Sequence, residues 1–303
     1  MKLSRTDFRG AAALRLSTPA LELIVTTGVG PRIVELCSRG GRVGNLFFQF
    51  PGNEVRAHGF LFRGGHRLWH SPEDIVRTYQ PDDAPVTVRM LSNGVVLTQP
   101  TEAKTGLQKA IRIEFRGQRT LKITHLVTNR GRRGVECAPW ALTMLRGGGY
   151  GVLPLLPKGS HAAGDLLPKY ALVPWTYTDF ALPVWEPHRD FLGINTRRAN
   201  TPQKLGVTNY PGWSAYWLDG TTFVKSASVL ASARYPDLGC CWETFTNGEM
   251  IELETLGPLA VIAPGKNSTH VEWWTLIEGL PKPDTDGAFA KLARAVKSRL
   301  AEL

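Results

Sequence analysis

Residues 249–258 have the sequence Glu-Met-Ile-Glu-Leu-Glu-Thr-Leu-Gly-Pro, and we take this stretch as the centre of the fold. Successive side chains of an extended strand point to opposite faces, so Glu252 and Glu254 share a face with Met250 while the residues between them point the other way. Two carboxylates placed about 6.5–7 Å apart on a face screened from water raise one pKa, which suits a general base. The alternative is that both glutamates lie on a solvated face.

The rest of the chain alternates short strand patterns with turns. Its 31 Gly and 21 Pro are spread without a period, and 43% hydrophobic with 20% charged residues is typical of a globular protein. Residues 147–210 are rich in Gly and Pro and are predicted to form long connections that shape a binding surface. The clearest predicted strands are residues 21–25, 32–36, 86–90, 95–97, 107–115, 121–128, 135–145, 214–218, 222–229, 240–245, 250–256, 260–263 and 268–277.

The C-terminus is the one convincingly helical segment. Phe289, Leu292 and Val296 recur at three- and four-residue spacing with basic residues opposite, which predicts an amphipathic helix over residues 284–303 that packs on the sheets. The chain has no repeat, low-complexity tract or linker. We therefore predict a single domain over residues 1–303, an all-β antiparallel sandwich with one C-terminal helix.

The charge and the cysteine pattern limit the kinds of partner and ligand that we predict. The net charge is +10, and the excess of Lys and Arg lies in residues 1–150. These residues are scattered, so we predict no nucleic-acid partner; a solvated basic surface and an anionic ligand such as a sugar phosphate or uronate both remain open. We also predict no membrane span, because no apolar window approaches 18 residues. The four cysteines show no CxxC pairing and the chain shows no signal-peptide pattern, so we predict reduced thiols and a cytoplasmic location. We predict no metal and no cofactor. The oligomeric state stays open.

A second polar cluster follows Gly64-Gly65, where residues 66–74 combine two histidines, an arginine, a tryptophan and two acids. On an extended strand His66 and His70 share a face that Arg67 cannot share. The cluster is either a source of hydroxyl-binding groups and an acid, or a hydrogen-bonded structural loop. A metal site built from the histidines and the following acids does not match a standard ligand spacing.

Several other side chains are candidate ligand contacts. Nine tryptophans are many for this length, and their faces stack on the C–H faces of sugars, although core packing is the alternative for those in strands. A lysine interrupts an apolar strand, where it either reaches a ligand or extends to solvent. No phosphate-binding loop, GxSxG elbow or HExxH motif occurs. The predicted substrate contacts beyond the 66–74 cluster are Lys109, Trp140, Trp213 and Glu243.

The order of three segments resembles the galactose mutarotase-like (aldose 1-epimerase-like) superfamily. These are residues 21–41 with their Gly40-Gly41 turn, residues 121–131, and residues 251–266 with their glutamate strand and Pro-Gly turn. The resemblance covers about residues 15–278. Within the superfamily the chain is most similar to a subgroup marked by Gly-Gly-His-Arg-Leu-Trp-His at 64–70 and Glu-Leu-Glu-Thr-Leu-Gly-Pro at 252–258. The resemblance implies a large antiparallel supersandwich that binds a sugar in a cleft on one sheet face.

The resemblance also implies a chemistry. Mutarotases of this superfamily open and reclose the pyranose ring, with a Glu that removes the anomeric hydroxyl proton and a His that protonates the ring oxygen. Glu254 is the better match to that base and Glu252 the competitor, while Arg67 and Trp69 match a sugar-binding arginine and aromatic residue. Residues 138–144 carry no histidine where the superfamily has its acid.

This departure leaves three functions open. If the chain is an aldose 1-epimerase-like isomerase, its acid comes from His66, His70 or His125. If the chemistry is lost, the chain is a carbohydrate-binding or sensing protein. A polysaccharide lyase or glycoside hydrolase is the third alternative, and it is least favoured because Glu252 and Glu254 point in parallel instead of flanking a bond. In each case the expected ligand is a carbohydrate or anionic sugar.

Overall fold

Two large antiparallel sheets form the protein, in a computed structural model that describes residues 1–52 and 55–302. The strands are β1 Lys2–Phe8, β2 Ala11–Ser17, β3 Leu21–Thr26, β4 Ile33–Ser38, β5 Arg56–Ala57, β6 Phe60–Leu61, β7 His66–Ser71, β8 Thr87–Leu91, β9 Gly94–Thr98, β10 Leu107–Phe115, β11 Thr120–Asn129, β12 Val135–Arg146, β13 Tyr150–Pro154, β14 Leu172–Pro174, β15 Trp185–Pro187, β16 Phe191–Asn195, β17 Gln203–Val207, β18 Trp213–Leu218, β19 Thr221–Ala227, β20 Trp242–Thr246, β21 Met250–Leu256, β22 Ala260–Ile262 and β23 Asn267–Glu278.

The first sheet, here called sheet 1, has the order β1-β2-β3-β4-β7-β12-β21-β20-β17-β14, with β22 paired to β12. Sheet 2 has the order β15-β16-β13-β18-β19-β23-β11-β10-β9-β8, and β5 pairs with β6 outside both. Single-turn 3-10 helices lie at His161–Ala163, Thr196–Arg198 and Asp237–Gly239. This arrangement confirms the predicted all-β antiparallel sandwich with one C-terminal helix.

The stretch at 250–256 lies at the centre of sheet 1, between β12 and β20. Its alternation is confirmed: Ile251 and Leu253 are fully buried in the core between the sheets, while Met250 and Glu252 line a cleft on the opposite, outer face. Register fixes the neighbours on that outer face, because Glu254 lies directly across from Glu243 of β20. The strand therefore carries the core on one side and a polar cleft on the other.

The C-terminal helix α1 spans Asp286–Leu300. The side chain of Thr285 caps it by accepting a hydrogen bond of 3.2 Å from the Ala288 backbone N–H, which satisfies a donor left free by the first turn. Its buried face, Phe289, Leu292 and Val296, packs on sheet 2, which confirms the predicted helix within 286–300; Leu303 lies outside the described residues. Among the described residues no helix is both long and apolar enough to cross a membrane.

Residues 147–210 contain five short strands, β13 to β17, so the prediction that this region forms connections is wrong in part. Each strand is only three to five residues long, and sheet pairing rather than local pattern stabilises them. Gly193 of β16 shows why a Gly-rich composition does not exclude a strand. A Cβ there would lie 1.9 Å from the Tyr150 hydroxyl, so glycine is required for close strand packing.

Candidate functional site

A cleft lies on the outer face of sheet 1, above β7, β12, β17, β20 and β21. One part, which we call the aromatic lobe, has a volume of about 320 Å³; the adjoining polar lobe has a volume of about 480 Å³. The two lobes share a wall formed by Glu73, Tyr79, Trp140 and Lys204. Otherwise the aromatic lobe is lined by Phe50, Val55, Phe62, Arg67, Trp69, Leu142, Met144, Tyr177, Phe245, Asn247, Met250 and Glu252, and the polar lobe by His58, Asp74, Ile75, Trp175, Asp237 and Glu243.

Strand alternation in β7 directs Arg67 and Trp69 into the aromatic lobe. The Arg67 guanidinium lies 4.2 Å from the Trp69 ring centre and donates a hydrogen bond of 3.1 Å to Glu252 Oε1. The Arg67 Nε and the Trp69 Nε1 are buried and find no acceptor among the described residues. Such donors are costly to leave unpaired.

Lys204 is the centre of the shared wall. Its ammonium lies 2.8 Å from Glu243 Oε2 and 3.2 Å from Glu254 Oε2, and 4.7 Å from the ring centres of both Trp140 and Trp175. The Trp140 indole N–H also donates to Glu254, at 2.8 Å. Burial alone would lower the pKa of Lys204, but the two glutamates outweigh it and raise that pKa well above its ordinary value. The lysine is therefore a permanent cation.

Sequence reasoning missed Lys204, because β17 lies in the region predicted to be a connection. One local signal could have found it. Residues 203–207, in which Lys204 stands beside the apolar Leu205, are compatible with a short strand. Its partners come from β20 and β21, about 40 to 50 residues further along the chain. Only the sheet register brings them together.

Three buried carboxylates, Glu243, Glu252 and Glu254, surround the two paired cations of the cleft, Arg67 and Lys204. Burial raises the pKa of Glu252 to about 6, against the opposing effect of Arg67. Burial also raises the pKa of Glu243 well above its ordinary value; the neighbouring Glu254 adds to this effect and Lys204 opposes it.

The two glutamates of the central stretch differ in access. Glu252 lines the aromatic lobe, whereas Glu254 is 0% exposed behind Trp140 and Lys204 and lines neither lobe. Of the two candidate bases, Glu252 therefore lines the cleft, and Glu254, the one preferred from sequence, does not. Glu243, predicted from sequence to share this face, lines the polar lobe.

The histidines proposed as acids lie elsewhere. His66 points into the space between the sheets, where its Nε2 is 2.7 Å from His125 Nε2 and its Nδ1 is 2.9 Å from Thr143 Oγ1. His70 is also 0% exposed, and burial lowers the pKa of both rings well below the ordinary value. Neither lines a lobe, which corrects the expectation that His66 or His70, or the equally buried His125, protonates a ligand there.

Two predicted substrate contacts also lie away from the cleft. Lys109 belongs to β10 of sheet 2 and pairs with Glu102 at 2.6 Å. Trp213 belongs to β18 and stacks on Phe289 of the C-terminal helix, with ring centres 6.1 Å apart. Of the predicted binding residues, the cleft therefore brings together Arg67, Trp69, Trp140 and Glu243, and not Lys109 or Trp213.

Within residues 1–52 and 55–302, one group of three metal-ligand types converges: His66, His125 and Glu272, whose ligand atoms lie within 4.8 Å of one another. The Lys225 ammonium already pairs with Glu272 at 2.7 Å and donates to the Leu253 carbonyl oxygen at 2.8 Å. A buried cation thus compensates this carboxylate. The group acts as a hydrogen-bonded network that joins the two sheets behind the cleft.

No protein-family model matches the chain, and no curated protein matches it in sequence. Solved structures do match. A galactose mutarotase-like protein from Lactobacillus casei is 10% identical with a TM-score of 0.59, over 88% of this chain and 100% of that one. A galactose mutarotase-like protein from Clostridium acetobutylicum is 10% identical with a TM-score of 0.56, over 91% and 98%.

A TPR-domain containing protein from Parabacteroides distasonis is 11% identical with a TM-score of 0.59. The match covers 89% of this chain and 48% of the TPR protein, so the chain spans about half the length of that protein. Together with the sheet order described above, these similarities establish that the chain has the galactose mutarotase-like fold.

Proposed function

We propose that this protein binds an uncharged pyranose sugar in the aromatic lobe and interconverts its two anomers. One observation carries the proposal: Glu252, a buried carboxylate whose pKa is raised to about 6, stands on the wall of a lobe otherwise rich in aromatic rings. A pKa in that range lets the carboxylate accept a proton at neutral pH and return it. The fold shared with galactose mutarotase-like proteins supports the same activity.

The lining of the aromatic lobe suits a sugar ring. Trp69, Trp140, Tyr79 and Tyr177 offer aromatic rings for the C–H faces of a pyranose, and Arg67 Nε and Trp69 Nε1 are unpaired donors within the same wall. Charge balance argues against the anionic sugars considered from sequence. Both cations of the cleft are already paired with glutamates, which leaves no positive charge for a phosphate or uronate.

The proposed reaction uses one carboxyl group, that of Glu252. It takes the proton of the anomeric hydroxyl while the C1–O5 bond breaks and C1–O1 becomes a carbonyl, and the protonated Glu252 then gives that proton to O5. Rotation about C1–C2 and the reverse step close the other anomer and leave Glu252 ionised as before. Glu243 lines only the polar lobe and takes no part in this reaction.

Glu252 thus serves as base and then as acid, in place of the histidine that residues 138–144 lack. Its pKa of about 6 suits both steps near neutral pH. The combined charge of sugar and Glu252 stays constant throughout the reaction. General acid–base catalysis of this kind is worth about 10²–10⁴-fold in rate.

A second candidate function is sugar binding without catalysis. The observation that favours it is that Arg67 holds Glu252 in an ion pair at 3.1 Å, which resists proton transfer to that carboxylate. Adding the protein to a freshly dissolved pure anomer and following the anomeric proton signals by NMR separates the two. Acceleration above buffer supports the isomerase; Trp-fluorescence changes without acceleration, across a panel of aldoses, support the binding protein.

A further inference from the structure

The polar lobe is a second cavity beyond the one that our proposed reaction needs. It adjoins the aromatic lobe across the wall of Tyr79, Trp140 and Lys204 and has a volume of about 480 Å³. Trp140 and Trp175 give it two indole rings, which flank the Lys204 ammonium. A cavity of this size next to a sugar site has room for another ring of the same ligand.

A buried polar group in the wall of this lobe lacks a hydrogen-bond partner that a ligand could supply. Glu243 is 0% exposed, lines the lobe, and its Oε1 atom has no hydrogen-bond partner among the described residues. Buried polar atoms are normally satisfied, so an oxygen left free at a cavity wall indicates a missing donor. A ligand group that donates a hydrogen bond from inside the lobe would supply it.

The charge of the lobe indicates what kind of donor fits. Glu73, Asp74 and Asp237 also line it, and none of them forms a salt bridge within the described residues. Each accepts hydrogen bonds from neutral groups only; for example, Asp237 Oδ2 accepts one of 3.0 Å from the Ser71 hydroxyl. The cation in the wall, Lys204, is occupied by Glu243 and Glu254. The lobe is therefore negatively charged and lacks a counter-ion.

We propose that the polar lobe is a second subsite that binds an amino sugar, with its protonated amine facing Glu73, Asp74 and Asp237. That residue is linked to the uncharged pyranose in the aromatic lobe, so the natural ligand is a disaccharide or the end of a longer amine-bearing saccharide. This inference rests on the proposed sugar-binding function and adds the substrate class. The indole rings of Trp140 and Trp175 supply the stacking faces, and the carboxylates supply the selection for positive charge.

The test compares four sugars by isothermal titration at low salt and about pH 6.5, where a sugar amine is protonated. They are glucose, cellobiose, glucosamine joined β-1,4 to glucose, and the N-acetylated form of that amino disaccharide. We expect all three disaccharides to bind more tightly than glucose. We also expect the amino disaccharide to bind about tenfold more tightly than cellobiose, because several weak, partly exposed ion pairs add together, and its N-acetylated form to lose that advantage.

A matched pair of variants locates the effect. Asp237 has a left-handed backbone (φ 51°), which asparagine tolerates, and Asp237→Asn keeps an acceptor for Ser71 while removing the charge. Asp219→Asn is the control, because Asp219 has a similar backbone (φ 45°) on a distant turn outside both lobes. We expect the preference for the amine to fall about threefold in the first variant and to stay unchanged in the second.

Three results would overturn the inference. Equal dissociation constants for cellobiose and the amino disaccharide would show that the polar lobe does not select an amine. Disaccharides that bind no more tightly than glucose would show that the lobe is not a second subsite. In both cases glucose still binds, so the proposed function survives. If no sugar in the panel binds at all, the proposed function and this inference fail together.

Discussion

Replacing the proposed base tests the central stretch of the chain directly. In Glu252→Gln the amide oxygen can still accept the 3.1 Å hydrogen bond from Arg67, so the side chain keeps its place, but it can no longer accept a proton. Loss of a general base predicts a fall of about 10²–10⁴-fold in the rate of anomer exchange. Sugar affinity should change little, because the aromatic rings that hold the pyranose are untouched.

The raised pKa gives the same residue a signature in stability. The folded protein holds the Glu252 proton up to about pH 6, whereas the unfolded chain releases it near 4.5. Because the folded-state pKa is the higher one, this contribution is complete below pH 4.5 and is lost as the pH rises through 6. The shift corresponds to about 2 kcal/mol of unfolding free energy. Glutamine does not titrate, so Glu252→Gln should not lose this stability as the pH rises. Between pH 4.5 and 6 its free energy of unfolding should therefore rise relative to that of the native chain, from a baseline lowered by the weaker bond to Arg67.

The assay is polarimetry of a freshly dissolved aldose, with urea unfolding at a series of pH values. Glu249→Gln is the matched control, since Glu249 lies in the same stretch but is exposed to solvent. We expect the control to keep the full rate and the native pH dependence. Full exchange activity in Glu252→Gln would refute the assignment of Glu252 as the base. A stability profile identical to the native one would refute its raised pKa.

Three further substitutions follow from the contacts. Lys204→Met leaves the two buried glutamates beside it without a cation and should cost about 3–5 kcal/mol in urea unfolding; a loss below 1 kcal/mol would contradict the ion-pair geometry. His70→Leu should keep the anomer-exchange rate within about twofold, since His70 lines neither lobe, and a large loss would restore it as the acid. Lys225→Met should destabilise by a similar 3–5 kcal/mol, because Glu272 loses its charge partner between the sheets, and thermal unfolding near the native midpoint would disprove this.

Local pattern predicted the strands that carry the cleft. Alternation placed Glu252 on one face of residues 250–256, and it separated Arg67 from His66 and His70 on β7, as the structure confirms. The same rule could not say which face is the core. That depends on sheet stacking, and the stacking puts both histidines inside, where an acid cannot reach a ligand.

Long-range register accounts for what sequence could not predict. Lys204 becomes part of the site only because β17 pairs with β20, and β20 with β21, so that one ammonium meets two glutamates. Lys109 was predicted to contact the ligand because it interrupts an apolar strand, and Trp213 because tryptophan stacks on sugars, yet both lie in sheet 2. Side-chain chemistry identified the candidate residues, and the sheet topology determines which of them lie in the cleft.

Exchange NMR at anomeric equilibrium tests the central claim most directly, because it detects interconversion of α and β forms without a change in total sugar. The account predicts exchange cross-peaks between the two anomeric protons that grow with protein concentration and disappear in Glu252→Gln. Cross-peaks no stronger than in buffer, for sugars that demonstrably bind in the cleft, would contradict it.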